Sequence, residues 1–227
     1  MMMYLATNSR PNIACAVHQC ARFTYCPRHS HKEAVKRIVR YLSGTAEKGL
    51  IFKPTGKFNV YCYVDADFAG LFRCEDDQDP VSVKSRTGYL RMFGGCPLLW
   101  VSRLQTEIAL STTEAEYIAL SQSMRDLLPT RHLIEDVLMT LSIKLEEVFT
   151  HSTVFEDNKG AITLASALKL TPRMKHIGIK YHFFRQFVSD GTVKIKHIES
   201  ENQLADIFTK GLPVIKFERL RKALMGW

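Results

Sequence analysis

The chain has 227 residues, of which 46% are hydrophobic, and a formal net charge of +8. That is enough for one ordinary domain with a sizeable core and a piece of a second, and it carries no internal repeat or low-complexity tract. No stretch approaches the roughly 20 apolar residues of a membrane span, and the opening Met1-Met2-Met3-Tyr4-Leu5-Ala6 lacks the basic lead and apolar region of a signal peptide, so the expectation is an intracellular, unsecreted chain with no membrane partner.

Charge is unevenly distributed. Residues 1 to 57 hold 10 Lys/Arg against Glu33 and Glu47, whereas residues 58 to 227 balance 21 basic with 21 acidic side chains. The front end therefore suits a phosphate-rich partner, or is simply a solvated helix face. The spacing of Arg10 to Phe23 predicts a helix, with Pro11 in its first turn and Pro27 beyond its end. HKEAVKRIVRYL (31 to 42) predicts an amphipathic basic helix with Ala34, Val35, Ile38, Val39 and Leu42 on one face, and 49 to 53 a short strand. Two helices and one strand do not close a core, so 1 to 57 reads as part of something larger. Cys20, Cys26, His29 and His31 cluster in this part, but their spacing fits no usual zinc site, and the six cysteines lack paired spacing.

From residue 58 the texture changes. FNVYCYVDA alternates as a strand should, a charged loop runs from Arg73 to Asp79, and TGYLRMFGG and CPLLWVS predict two more strands joined near Gly94-Gly95. Thr113 to Leu141 has helical period, with Pro129 expected to split it. A strand over 150 to 155 leads into a helix at 158 to 166. A helix is expected from Ile179 to Val188, a fifth strand from 192 to 198 and an amphipathic helix from 214 to 224. Three strands followed by alternating elements imply an α/β fold, a mixed five-stranded sheet flanked by helices.

Four apolar segments each carry a carboxylate: Asp65 in YVDADFAG, Glu116 in STTEAEYIAL, Asp157 in VFEDNKGAI and Asp206 in QLADIFTK. Unpaired carboxylates near a core are costly unless a cation receives them, and Mg²⁺ suits an all-oxygen set. Each is weak alone. Asp67 could replace Asp65, Glu114 could be a helix-start residue, Asp157 could cap the following helix and Asp206 could be a solvated helix residue. Two ions about 4 Å apart would support phosphodiester hydrolysis.

YVDADFAG, SRTGYL, GGCPLLW, LSTTEAEYIAL, EDNKGAI, MKHIGIKYHFFR and QLADIFTKGLP resemble, in order and rough spacing, the ribonuclease H domain at the end of the copia-type retrotransposon polyprotein. The resemblance spans about 58 to 227. MYLATNSRPNIACAVHQCARF and HKEAVKRIVRYLSGT look like the tail of that element's reverse transcriptase, so 1–57 is expected to be a thumb-like fragment and 58–227 a ribonuclease H-like domain. The polymerase's Tyr-Val-Asp-Asp motif does not occur in the sequence, which speaks against DNA synthesis by this chain alone. The resemblance implies a nuclease that hydrolyses the RNA strand of RNA/DNA hybrids with two Mg²⁺, or Mn²⁺ in their place. Asp65, Glu116, Asp157 and Asp206 are the implied catalytic and metal-binding residues. It also implies the reverse transcriptase portion of the parent polyprotein as a partner, and a cytoplasmic particle or the nucleus as location.

Departures occur. SALKLTPRMKHI has Ala167, Leu168 and Thr171 where many members have Asn-Pro and His, and His197 stands nearest to the place of a mobile histidine but within a strand pattern. Lys169, Arg173, Lys175, His176, Lys180 and Arg185 form an expected phosphate-tracking surface, with Lys175 and His176 the pair first expected to contact phosphate. Phe183, Phe184 and Phe187 are expected in the core. The alternative, in another class, is a catalytically silent retrotransposon relic that at most binds nucleic acid.

Overall fold

A computed structural model describes residues 1–55, 59–72, 79, 81–143, 151–167 and 177–227. Most of the charged loop expected at 73 to 79 lies outside these residues. Five strands form one mixed sheet in the order β3-β2-β1-β4-β5. Strands β1 (Val60–Asp67), β2 (Arg86–Phe93) and β3 (Cys96–Leu104) make an antiparallel meander, and β4 (Ser152–Glu156) and β5 (Val193–His197) continue it in parallel. This is the expected ribonuclease H-like sheet. The β2–β3 turn falls on Gly94 and Gly95, whose φ of 57° and 87° are the left-handed values a tight two-residue hairpin requires.

Alternation along the strands builds two cores. Val60, Cys62, Val64, Ala66 and Tyr89 face helix α4 (Thr112–Thr140) and helix α5 (Lys159–Ser166). Leu90, Met92 and the flanking Tyr61 and Tyr63 face the other way. There they meet α1 (Met2–Asn8), α2 (Ala14–Ala21), α3 (His29–Ser43), the one-turn α7 (Asp206–Thr209) and α8 (Val214–Met225). The third helix of the first face is α6 (Arg185–Ser189). Residues 1–55 therefore cover one face of the sheet: Ala6, Ile13, Ala14, Val17 and Ile38 are buried with Phe208, Leu220 and Leu224. Helix α1, which the sequence did not suggest because it lacks a capping side chain, is fastened by the Trp100 indole N–H donating to the Ala6 carbonyl at 2.6 Å. On α3, Ile38 is buried but Val39 is half exposed, so the apolar stripe is narrower than its periodicity suggested.

Three expectations are corrected. The segment expected as a strand at 49 to 53 makes no ladder; Ile51 N–H donates to Met225 O at 3.1 Å, and the segment straps the end of α8. Helix α4 runs unbroken for 29 residues through Pro129. The proline is exposed, where a missing hydrogen bond faces water, and the turn beside it is tied to the sheet by Arg91 donating to Asp126 O at 2.5 Å and by the Tyr89 hydroxyl donating to the Asp126 carboxylate. The helix expected over 179 to 188 is a 3₁₀ turn, Ile179–Tyr181, followed by the five-residue α6. Phe184 is fully buried between them, and Phe183 and Phe187 pack beside it in the core, as expected.

Gly88 sets how closely α7 approaches the sheet. A Cβ there would lie 2.6 Å from Thr209 Cγ2, 2.8 Å from Phe208 Cβ and 3.0 Å from Ala205 O. Gly88→Ala is expected to push α7 outward and to destabilise the fold by about 1–3 kcal/mol, the usual cost of overpacking. Denaturant unfolding checks this; an unchanged midpoint would mean that α7 is not seated as described.

Candidate active site

Strands β1 and β4 pair only as far as Tyr63 and Phe155 and then part. Gln203, fully buried, fills the fork: its amide N–H₂ donates to Val64 O at 2.8 Å and Phe155 O at 3.4 Å. Just beyond the fork the strand ends deliver Asp65 and Asp157. Helix α4 adds Glu116 from its first turns. Its start is fixed by Ser111 Oγ accepting from Glu114 N–H at 3.2 Å while Glu114 Oε2 accepts from Leu110 N–H at 2.9 Å. Glu114 is thus the helix-start residue. Asp157 is not the cap of α5; Asn158 is, accepting from Ala161 N–H at 3.0 Å.

Asp65, Glu116 and Asp157 each offer an oxygen, and these oxygens all lie within 4.8 Å of one another. Among the described residues no other group of His, Cys, Asp or Glu has ligand spacing, so Cys20, Cys26, His29 and His31 do not form one. The three open on a cleft of about 490 Å³ whose walls include Asp67, Asn158, Ser200 and Lys210. Asp65 and Glu116 are almost wholly buried, Asp157 partly, and Glu116 Oε2 has no hydrogen-bond partner. Such an orphaned carboxylate oxygen in an acidic pocket fits a hard divalent cation.

Asp206 is not brought into this trio. It is fully buried on α7, with Oδ1 2.8 Å from Lys210 Nζ and Oδ2 2.6 Å from Lys216 Nζ. Lys210 Nζ also stands 3.6 Å from Asp65 Oδ2, which in turn accepts the Thr209 hydroxyl. The Ser200 hydroxyl donates to Asp157 Oδ2 at 2.6 Å. Thr209, Lys210, Lys216, Ser200 and Gln203 did not emerge from the sequence as site residues, although QLADIFTKGLP contains three of them. Hydrophobic periodicity carries no information about which polar side chains a one-turn helix aims inward.

Of the expected basic surface, Lys180 and Arg185 are among the described residues. Lys180 is exposed and paired with Glu107 at 2.6 Å, and Arg185 donates to the Ala167 carbonyl. Lys169, Arg173, Lys175 and His176 lie outside the described residues. His197 ends β5, 3.9 Å from a Glu199 oxygen, and does not line the cleft.

Burial pushes the Asp65 carboxyl up to about 7, with Asp206 and Asp157 adding to the rise and Lys210 and Thr209 opposing it. Glu116 is raised well above its ordinary value by burial, then by Glu156, Asp65 and Asp157. Glu156, also buried, is raised by burial against an opposing hydrogen bond from Asn158. Carboxyls raised in the fold keep protons that the unfolded chain releases, so their stabilisation is complete below the unfolded values and is lost as pH rises through the folded ones. Without divalent cations, thermal stability is therefore expected to fall as pH climbs from about 4 to about 7 and beyond, and added Mg²⁺ should reverse the loss. A melting temperature that rises over this window without cation would contradict the cluster.

No protein-family model matches the sequence. Among curated proteins, the retrovirus-related Pol polyprotein from transposon RE1 of Arabidopsis thaliana is 35% identical over 217 residues, 96% of this chain and 14% of that polyprotein. The corresponding polyprotein from transposon TNT 1-94 of Nicotiana tabacum is 37% identical over 225 residues, 99% of this chain and 16% of its own length. The chain thus spans about one seventh of the length of these relatives. Of solved structures, LC11-RNase H1 in complex with an RNA/DNA hybrid superposes with a TM-score of 0.40 at 16% identity, over 66% of this chain and 94% of that one. With more than a third of its aligned residues shared along nearly its whole length, the chain belongs to the family of retrovirus-related Pol polyproteins of copia-type retrotransposons and has the ribonuclease H-like fold.

Proposed function

We propose that this chain is a metal-dependent endonuclease that hydrolyses the RNA strand of RNA/DNA hybrids. The observation that carries the reading is the convergence of Asp65, Glu116 and Asp157 within 4.8 Å at the floor of an open cleft. These three would hold Mg²⁺, with Mn²⁺ as a substitute, and Asp206 would join them for a second ion. The cation supplies Lewis acidity and neutralises charge gathering on the phosphate. Glu116 and Asp65 fix the position of the reacting phosphodiester by being immovable: one projects from a capped helix, the other from a central strand, and Ser200 orients Asp157. Water attacks phosphorus, the bond to the 3′ oxygen breaks, and that oxygen leaves as a 3′-hydroxyl opposite a 5′-phosphate.

The substrate would be recognised by its backbone and 2′-hydroxyls. The strip that includes Lys169, Arg173, Lys175, His176, Lys180 and Arg185 is the proposed phosphate track, with Lys180 its exposed described member. Residues 1–57 would be the thumb-like tail of a reverse transcriptase, and the polymerase portion of a parent polyprotein the natural partner.

Labelled hybrid, duplex DNA and duplex RNA incubated with the folded chain and Mg²⁺ test the proposal. Cutting of RNA in the hybrid alone, ending in 5′-phosphate, is expected. Folded protein that leaves the hybrid intact would support the silent-relic reading instead.

A further inference from the structure

Resting on the divalent-cation reading above, the inference concerns the two lysines that surround Asp206. This carboxylate is completely buried, yet both of its oxygens meet ammonium groups. The two lysines differ. Lys216, on α8, is mostly buried, and its ammonium also donates to Ser200 O at 2.9 Å, so it is fixed by the fold. Lys210 follows α7, lines the cleft and keeps 39% of its side chain exposed. Its ammonium lies 2.8 Å from Asp206 Oδ1 and 3.6 Å from Asp65 Oδ2. It stands between two carboxylates from different elements, where a cation shared by them would stand.

We propose that Lys210 is an internal cation that holds the second metal position closed, so that the chain takes one divalent ion at Asp65, Glu116 and Asp157 and a second only when Lys210 swings out into the cleft. The chemistry follows from charge. Asp65, Glu116 and Asp157 converge with one Glu116 oxygen left unpartnered, whereas Asp206 already meets two ammonium groups, so the trio is the place that calls for an added cation. A second ion must displace the Lys210–Asp206 ion pair and would otherwise sit beside an ammonium. Lys210 is attached through a flexible stem with its head near water, so it can leave; Lys216 cannot, which keeps α8 and the Ser200 turn in place when it does.

Mn²⁺ binding isotherms of the full chain, Lys210→Met and Lys210→Arg give the test without any activity. The wild type should bind one ion well and a second weakly. Lys210→Met should tighten the second ion by at least about tenfold while shifting the first much less, and Lys210→Arg should behave as wild type. A second ion no tighter in Lys210→Met, or two equally tight ions in the wild type, would overturn the proposal. Should Lys210→Met not fold, amine labelling of the wild type decides: Lys210 must become more reactive as Mn²⁺ saturates, and unchanged reactivity overturns it. Failure of the parent reading looks different, because then no Mn²⁺ binds to any of the three proteins.

Discussion

Glu116→Gln is expected to abolish hybrid cleavage, by on the order of a hundredfold or more, while making the metal-free chain more stable at neutral pH. The two effects have one cause. Glu116 is buried among Asp65, Asp157 and Glu156, and one of its oxygens has no hydrogen-bond partner. Its negative charge is useful only when a cation arrives, and until then it is held at a cost. An amide of the same shape removes the charge and with it the burial cost that raises the Glu116 carboxyl, so the metal-free variant should melt at a higher temperature than the wild type. The gain should vanish below about pH 4, where the wild-type side chain is protonated in both states. Thermal melts at two pH values, paired with a cleavage assay, read both halves. Loss of activity accompanied by loss of stability would mean that Glu116 is a structural residue.

Removing residues 1–55, or placing a charge in their buried face with Val17→Asp, should unfold or nearly unfold the rest of the chain. Val17 is 3% exposed in the core that also holds Leu90, Met92, Phe208 and Leu224. An uncompensated carboxylate there costs several kcal/mol, comparable with the whole stability of an ordinary domain. The truncated chain would expose the apolar face of β1 and β2 and lose the Trp100–Ala6 and Arg86–Gln19 anchors. Circular dichroism and dye binding report the outcome. A truncated chain that unfolds cooperatively with native helix content would show that the second core closes without α1 to α3.

The sheet was legible because its strands alternate. Val60–Asp67, Arg86–Phe93 and Cys96–Leu104 send alternate residues to the two cores, and the turn glycines mark a hairpin between the last two. Helix α4 was legible in extent but not in continuity, since Pro129 acts locally while its exposure and the Tyr89 and Arg91 anchors on Asp126 come from the sheet. The role of residues 1–55 was hidden for a related reason: their apolar face is complementary to a surface that exists only once β1 and β2 have paired. Three of the four carboxylates converge as their positions at strand ends and a helix start suggested. Asp206 differs because nothing in its flanking residues foretold that Lys210, four positions on, and Lys216 would receive both of its oxygens.

The most direct measurement is single-turnover cleavage of a labelled RNA/DNA hybrid by the full chain and by Asp157→Asn, across a Mg²⁺ series. Asp157 is the most accessible of the three carboxylates, so its replacement should leave the fold intact. Cleavage of the RNA strand that saturates with Mg²⁺ in the wild type and falls by about a hundredfold or more in the variant is the predicted result. Equal rates in the two proteins, or no Mg²⁺-dependent product from a chain shown to be folded, would contradict it.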